Sequence, residues 1–289
     1  MIRIEIAERH YLLYLLLPHR AKVTLLSPAS RVKLDCINRM FNAQIYSGDG
    51  ATAYDQIHRY DEVGQHEYPA RLLVTEVWAL EGYGRALELG AGSGYFTALI
   101  ARRAESVVAV EPVPDMQGVI RARCMAEGLR NVEVIGASAL ELPAYLPQAS
   151  FDSAFVIQSL HHFHRRPEVF EALGRVIRPG GRLFMVEPHH NLRRVVRLLR
   201  KYLATYRARE FWTQERNWAT HDFLTCGEIR ALCRYGGFED VRISRHWIPY
   251  SRRLVPDPER RFRLERRLGR IPGLRHFAGV LTMEARRSG

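Results

Sequence analysis

The sequence Ala86-Leu87-Glu88-Leu89-Gly90-Ala91-Gly92-Ser93-Gly94-Tyr95-Phe96-Thr97 contains three glycines at every second position. The apolar run before them, 85–89, predicts a strand, and helical periodicity follows them from Tyr95 to Arg103. Glycine permits positive φ and lets a ligand lie against bare backbone, and a helix N-terminus beyond it offers unpaired N–H donors. This sequence therefore predicts a ligand-binding loop between a strand and a helix.

A second apolar run, Ser106-Val107-Val108-Ala109-Val110, ends at Glu111. Glu111 follows the loop by roughly twenty residues, where nucleotide-binding α/β folds place a carboxylate that accepts hydrogen bonds from ribose hydroxyls. A glycine loop by itself is weak evidence, because many folds use one. The loop and the carboxylate support each other.

The spacing G-x-G-x-G, with Glu88 before it, differs from the G-x-G-x-x-G of pyrophosphate-binding folds. It resembles the first motif of the S-adenosylmethionine-dependent methyltransferases with a Rossmann-like fold, in the type 11 small-molecule group. This resemblance implies an α/β fold with a seven-stranded, mostly parallel sheet and helices on both faces. It also implies an N-terminal and an inserted helical cap, and S-adenosylmethionine as the cofactor.

Later segments resemble further motifs of the same family in the same order, and the matches cover residues 86–188. Ser150-Phe151-Asp152 opens a fourth strand that leads to Leu160-His161-His162, and the turn Arg178-Pro179-Gly180-Gly181 precedes a fifth strand, Leu183 to Val186. In the loop 136–143, Ser138 replaces the acidic residue that the family usually has near the adenine. Its hydroxyl can accept a hydrogen bond, but without charge assistance.

The resemblance implies a cofactor site made from the loops that follow the strands. Its residues are Glu88, Gly90, Ala91, Gly92, Gly94, Glu111, Pro112, Ser138, Ala139 and Gln158.

Methyl transfer from a sulfonium is an in-line displacement, so the protein aligns the acceptor, excludes water and removes a proton where the acceptor requires it. His161 and His162 are the candidate catalytic bases, because histidine titrates near neutral pH and the carboxyl ends of strands form the ligand crevice. Either histidine can instead orient the substrate or pack. Candidate substrate-binding residues are Tyr54 in a predicted lid helix, His162, Glu187 and Trp212. Tyr54 can equally be an ordinary packing residue.

No metal site is predicted, because neighbouring histidines that leave a strand end are expected to point apart. The four cysteines form no C-x-x-C pair, and the apolar run from Tyr11 to Leu17 is too short to span a bilayer. We therefore predict a cytoplasmic protein with reduced thiols. The N-terminal apolar segment can form a homodimer contact.

The predicted organisation has four segments. Residues 1–80 form an N-terminal helical cap, 81–188 the S-adenosylmethionine-binding core, 189–224 a helical insertion that caps the substrate, and 225–289 the remainder of the sheet. Thr225 and Glu228 predict a capped helix before a sixth strand. An Arg-rich insertion, 251–274, precedes a last strand over 277–285.

Between Leu192 and Tyr206, apolar residues recur at helical spacing, and arginines and a lysine take the other face. The default prediction is that the apolar face packs on the domain. A basic amphipathic helix can instead lie on a membrane or bind an acidic partner.

The formal net charge is +12, and residues 189–289 hold 23 Lys and Arg against 10 Asp and Glu. Four functions are consistent with this sequence, and a methyltransferase for a small-molecule hydroxyl, amine or activated carbon is favoured. An RNA methyltransferase would use the basic last third to bind phosphates. A membrane-associated lipid or quinone methyltransferase would use the helix after Leu192. A cofactor-binding module without catalysis is the fourth alternative, and Ser138 is its only indication.

Overall fold

The computed structural model describes residues 15–16, 27–57, 68–205, 222–248 and 250–289. Trp212 with the aromatic stretch around it, Tyr206, and all of the apolar run 11–17 except Leu15 and Leu16 lie outside the described residues.

In the described part of the chain, seven strands form a single sheet. They are β1 (Arg85–Leu89), β2 (Ser106–Val110), β3 (Val132–Ile135), β4 (Phe151–Ile157), β5 (Ile177–Pro188), β6 (Phe238–His246) and β7 (Val280–Arg287). Their order is β3-β2-β1-β4-β5-β7-β6, and β7 is antiparallel to both of its neighbours. The predicted seven-stranded, mostly parallel sheet is confirmed. The order reverses between β1 and β4, so the crevice at their carboxyl ends is where a ligand binds in this class of sheet.

Helices cover both faces of the sheet. They are α1 (Pro28–Ile45), α2 (Asp49–Ile57), α3 (Tyr68–Leu72), α4 (Tyr95–Ala101), α5 (Pro114–Ala126), α6 (Leu142–Tyr145), α7 (Arg166–Val176), α8 (Leu192–Thr205), α9 (Cys226–Tyr235), α10 (Ser251–Leu254) and α11 (Pro258–Leu268).

The core lies in two layers, because successive side chains of a strand point to opposite faces. Leu87 and Leu89 are fully buried in the layer that contains Phe170 of α7. Ala86 is buried in the other layer, with Phe155 and Phe184. The alternating side chains of β1 thus pack against helices on both faces of the sheet. This packing fixes the carboxyl end of β1, where the glycine loop begins.

Several predicted boundaries are wrong, because local turns override the apolar pattern. The fifth strand runs over Ile177–Pro188 and includes the predicted tight turn, since the pairing with β4 is irregular there and Gly180 takes a φ of 77°. The last strand begins at Val280 because a short 3-10 turn occupies 274–276. The Arg-rich insertion contains α10 and α11. Pro69 lies in the first turn of α3, where proline is tolerated.

The predicted N-cap of α9 is confirmed for Thr225 but not for Glu228. Thr225 Oγ1 accepts from the backbone N–H of Glu228 at 3.2 Å. The Glu228 side chain does not complete the box, because it pairs with the buried guanidinium of Arg166. The cysteines Cys36, Cys124, Cys226 and Cys233 all carry free thiols, as predicted.

The default prediction for α8 is wrong: most of its leucine stripe does not pack on the domain. Leu192, Val196, Leu199 and Leu203 are exposed. The helix instead turns Leu198 inward, together with Arg194, whose guanidinium lies 3.5 Å from the centre of the Phe223 ring. Arg194 was predicted on the solvent face and is 4% exposed. Within the described part of the chain, no helix combines the length and apolar character needed to cross a membrane.

A buried carboxylate, Glu265 of α11, joins the far end of the sheet to the helices around it. It is fully buried and accepts from the backbone N–H groups of Trp247 at 2.7 Å and Ile248 at 3.2 Å. The hydroxyls of Tyr68 and Ser251 also donate to it. Burial raises its pKa from 4.5 to about 7, against the two backbone hydrogen bonds.

We expect the Glu265→Gln variant to change how stability depends on pH. Because the folded pKa lies above the ordinary one, the unfolded chain releases its proton first, and the free energy of unfolding falls as pH rises from 4.5 to about 7. The amide mimics the protonated carboxyl, so the variant should lack about 3 kcal/mol of that fall. Urea unfolding across this pH window measures the difference from wild type. Glu259→Gln, an exposed carboxylate on the same helix, is the matched control, and equal pH slopes in all three proteins would contradict the prediction.

Candidate functional site

The glycine loop between β1 and α4 has the left-handed backbone that its sequence predicts. Gly90, Gly92 and Gly94 have φ values of 67°, 55° and 75°. A Cβ on Gly90 would lie 2.5 Å from the Cβ of Ser159, at the end of β4. Ser159 Oγ in turn donates to the carbonyl of Leu89 at 2.8 Å. The loop is therefore packed against the end of β4, and only glycine fits at position 90.

Glu111 bridges the loop to the segment after β2. Its Oε2 accepts from the N–H of Gly92 at 2.9 Å, and its Oε1 accepts from the N–H of Val113 at 3.0 Å. Burial raises its pKa to about 7, although both hydrogen bonds favour the charged form. Each oxygen keeps a second lone pair. The two sequence features predicted to act together thus lie in direct contact.

Glu88, the acidic residue before the loop, is buried between β1 and α4. It is 2% exposed and accepts a hydrogen bond from the hydroxyl of Thr97 on α4. Burial raises its pKa to about 8. The structure places this carboxylate between strand and helix, where it supports the loop.

The other predicted cofactor residues surround the crevice in different ways. Ser138 is half-buried, and its hydroxyl accepts from the N–H of Leu140 at 3.4 Å. Gln158 has a φ of 53° at the end of β4 and donates its N–H to Val186 at 2.7 Å. Ala91 and Ala139 are each 8% exposed and pack in the core, and Pro112 is exposed.

Helix α2 lies over the glycine loop. A Cβ on Gly92 would lie 3.7 Å from Cε1 of Tyr54, and the Tyr54 ring meets the Tyr46 ring edge-on at a centroid distance of 5.0 Å. Burial, and then the charge of Glu111, raise the pKa of Tyr46 to about 12, so its hydroxyl stays neutral. Tyr54 therefore packs over the glycine loop, and its role as a lid over a cofactor stays a prediction.

Arg123 of α5 connects α2 to the glycine loop. Its Nη2 lies 2.6 Å from Oδ1 of Asp55 in α2, and its Nε donates to the carbonyl of Ser93 at 3.0 Å. Both charged side chains are about one-quarter exposed or less. One guanidinium thus holds α2 and the glycine loop together.

A second buried network lies at the carboxyl ends of β4 and β5. Glu187 is fully buried and accepts from the N–H groups of Ser159 at 2.9 Å, Leu160 at 2.7 Å and His161 at 3.4 Å. Its Oε2 also lies 2.8 Å from Nδ1 of His161. Burial raises the pKa of Glu187 to about 8, against these hydrogen bonds and the charge of Arg166. This carboxylate orients the His161 ring.

His162 lies next to His161, on the side of Tyr46 and α1. Their ring centroids are 4.2 Å apart, because residues 160–162 form a 3-10 turn, so the prediction that the two rings point apart is wrong. His162 is half-buried, its ring is 6.5 Å from that of Tyr46, and its carbonyl accepts from Asn38 of α1. No group of three or more potential metal ligands occurs among the described residues.

Sequence reasoning missed three residues that build this site: Tyr46, Arg123 and Ser159. Only Ser159 had a signal in the sequence, since a small residue directly after a predicted strand can approach a glycine loop. Tyr46 and Arg123 act through the packing of α2 on α5, and no local pattern marks that contact.

The sheet order, the glycine loop after β1 and the acidic residue after β2 define a methyltransferase domain with a Rossmann-like fold. Residues 87–185 match the family model described as a methyltransferase domain. This segment of the chain is similar to the methyltransferase domains that the family model describes.

Known proteins resemble the chain mainly in this domain. An uncharacterized methyltransferase of Mycobacterium bovis is 36% identical over 126 residues, which are 43% of this chain and 47% of that protein. A protein-L-isoaspartate O-methyltransferase of Anaeromyxobacter dehalogenans is 37% identical over 130 residues, 44% of this chain and 58% of that protein. The chain thus spans about half the length of these curated relatives.

A solved structure of phosphoethanolamine N-methyltransferase 2 from Haemonchus contortus, in complex with S-adenosyl-L-methionine, shares the fold with a TM-score of 0.59. It is 16% identical and covers 87% of this chain and 60% of that chain. The names of these proteins give different methyl acceptors, so the shared domain does not define the acceptor.

Proposed function

We propose that the protein transfers a methyl group from S-adenosylmethionine to a small-molecule acceptor. The observation that carries the proposal is the contact between Gly92 and Glu111 under the ring of Tyr54. In this arrangement the backbone from 90 to 94 would hold the amino-acid end of the cofactor, and Glu111 would accept from the ribose hydroxyls. The loop at Ser138 lies toward the adenine.

The cofactor supplies an activated methyl group on a sulfonium, which needs no further activation of the leaving group. The protein therefore has to align the acceptor, exclude water and take up a proton where the acceptor carries one. Tyr54 and Tyr46 exclude water above the glycine loop. We assign proton removal to His162, because it is half-buried and lies beside Tyr46. His161 is a positioning residue, since Glu187 holds its ring against that of His162.

The arrangement of α1 and α2 supports a small acceptor. Asn38 of α1 bonds to the backbone beside the active-site histidines, and Asp55 of α2 pairs with Arg123 across the glycine loop. Two helices therefore cover the crevice from the N-terminal side. A covered crevice suits a compact molecule better than a folded RNA or protein surface.

Calorimetric titration with S-adenosylmethionine and with its product, S-adenosylhomocysteine, tests the cofactor half of the proposal. We expect micromolar affinity for both. Incubation with pools of small hydroxyl, amine and activated-carbon compounds, followed by mass spectrometry, then tests the acceptor half. Absence of binding to either cofactor form would overturn the proposal. Cofactor binding with methylation of RNA or protein alone would overturn only the assignment of a small acceptor.

We expect Asp55→Asn to weaken S-adenosylmethionine binding by about tenfold, because it removes a charge-assisted hydrogen bond that holds the lid on the loop. Calorimetry measures the change. Asp49→Asn alters an exposed carboxylate in the first turn of the same helix and should leave the affinity within about twofold of wild type. Equal affinities in the two variants would show that the pair does not hold the lid.

A further inference from the structure

Helix α8 presents an apolar stripe to solvent. Leu192, Val196, Leu199 and Leu203 are 50%, 49%, 42% and 75% exposed. Their spacing of four, three and four residues places them on one side of an α-helix. Monomeric proteins rarely expose contiguous large aliphatic side chains of this kind without a partner.

A row of cations runs beside the stripe. Arg193, Arg197 and Arg200 are exposed and lie about 70–130° around the helix from the middle of the stripe. Residues 189–205 contain five Arg and Lys and no Asp or Glu. The solvent face of α8 therefore joins an apolar half to a basic half.

A neighbouring segment at this end of the sheet also combines exposed apolar side chains with arginines. Asn191, directly before α8, donates to the carbonyl of Ala278 at 2.9 Å, which connects the helix to the turn before β7. In the segment after β6, Tyr250 is 73% and Leu254 is 79% exposed. Residues 247–256 contain two arginines and no acidic residue.

We propose that α8 and the adjoining residues 250–256, which contain α10, dock on an anionic phospholipid surface. The helix would lie in the plane of the membrane, with its leucines in the boundary of the acyl chains and its arginines at the level of the phosphates. This partner would bury the apolar residues of α8 and also pair its arginines with phosphates. The inference does not rest on the proposed methyl transfer.

Other partners would either bury the apolar residues or neutralise the arginines, but not both. A second copy of this chain would place arginines opposite arginines in a twofold contact, because residues 189–205 offer no carboxylate to pair with them. An RNA would neutralise the arginines and leave the leucine stripe in water. Charge and apolar exposure together therefore favour the lipid surface.

Docking would also orient the active site. The start of α8 follows the carboxyl end of β5, and the segment with α10 follows that of β6. In this sheet those ends lie on the same edge as the carboxyl ends of β1 and β4. The edge that holds the crevice would therefore approach the membrane.

Flotation with vesicles of phosphatidylcholine, with and without phosphatidylglycerol, tests the proposal on the full chain. We expect wild type to float only with the anionic vesicles and to be released by salt. Arg193→Gln combined with Arg200→Gln should weaken binding by about 30-fold, at about fivefold for each arginine. Leu199→Asp should weaken it by at least about tenfold, because an exposed leucine that enters the lipid is lost.

Arg230→Gln combined with Arg234→Gln is the matched control, since it removes two exposed arginines from α9 and should leave flotation unchanged. Circular dichroism melting checks that every variant is folded. Failure of wild type to bind anionic vesicles, or equal loss in the α9 control, would overturn the proposal. So would retention of a transfer RNA without vesicle binding, or a dimer in sedimentation that Leu199→Asp dissociates without vesicle binding.

Discussion

Gly90→Ala is expected to weaken S-adenosylmethionine binding by about 100-fold or more. A Cβ at this position requires a left-handed backbone, at a cost of about 1–2 kcal/mol, and it would lie 2.5 Å from the Cβ of Ser159. Since the loop cannot keep its position against the end of β4, the backbone that faces the cofactor has to move. Isothermal titration calorimetry measures the loss.

Gly128→Ala separates the two causes of that effect. Gly128 follows α5 and has a φ of 68°, nearly the same as Gly90, but an added Cβ there has nothing within 4 Å. This variant should lose about 1–2 kcal/mol of stability from backbone strain and bind the cofactor like wild type. If Gly90→Ala binds as well as Gly128→Ala, the loop does not hold the cofactor in the way proposed.

Glu187→Ala is expected to lower the free energy of unfolding by about 4 kcal/mol. The substitution leaves three buried backbone N–H groups, of Ser159, Leu160 and His161, without their acceptor. Each unsatisfied buried donor costs about 1–3 kcal/mol. Urea denaturation followed by circular dichroism measures the change in the absence of any ligand.

Two variants show whether this loss comes from the network. Glu284→Ala removes a carboxylate of β7 that is 37% exposed and pairs only loosely with Arg242, so it should change stability by about 0.5 kcal/mol or less. Glu187→Gln keeps one acceptor oxygen and should lose less than half as much as the alanine variant. A loss in Glu187→Ala no larger than that in Glu284→Ala would show that the network does not stabilise the fold.

Much of the fold could be predicted from the sequence because its signals are local. The alternating run 85–89, the glycines at 90, 92 and 94, and the carboxylate at 111 occur in a fixed order, and the structure contains them in that order. The cap at Thr225 is local too. Strand ends were less predictable, because the irregular pairing of β5 with β4 depends on a neighbouring strand rather than on its own residues.

The site was predicted in part for the same reason. The sequence indicated that Tyr54, His161, His162 and Glu187 lie near a crevice. Only the structure shows the contacts among them. Glu187 accepts from three backbone N–H groups and contacts the His161 ring, and the two histidine rings lie together in a 3-10 turn. Such relations depend on the distance between strand ends, which no single segment contains.

The amino-acid sequence by itself thus determined the class of sheet, the glycine loop and the carboxylate that meets it, because strand alternation and glycine's backbone freedom act over a few residues. The tertiary structure alone decided which face of α8 is buried. Arg194 is inside because Phe223 offers a ring for the guanidinium, Leu198 is buried beside it, and the apolar residues Leu192, Val196, Leu199 and Leu203 are left in solvent. Helical periodicity gives the two faces of a helix, whereas the face that packs depends on the surface it meets.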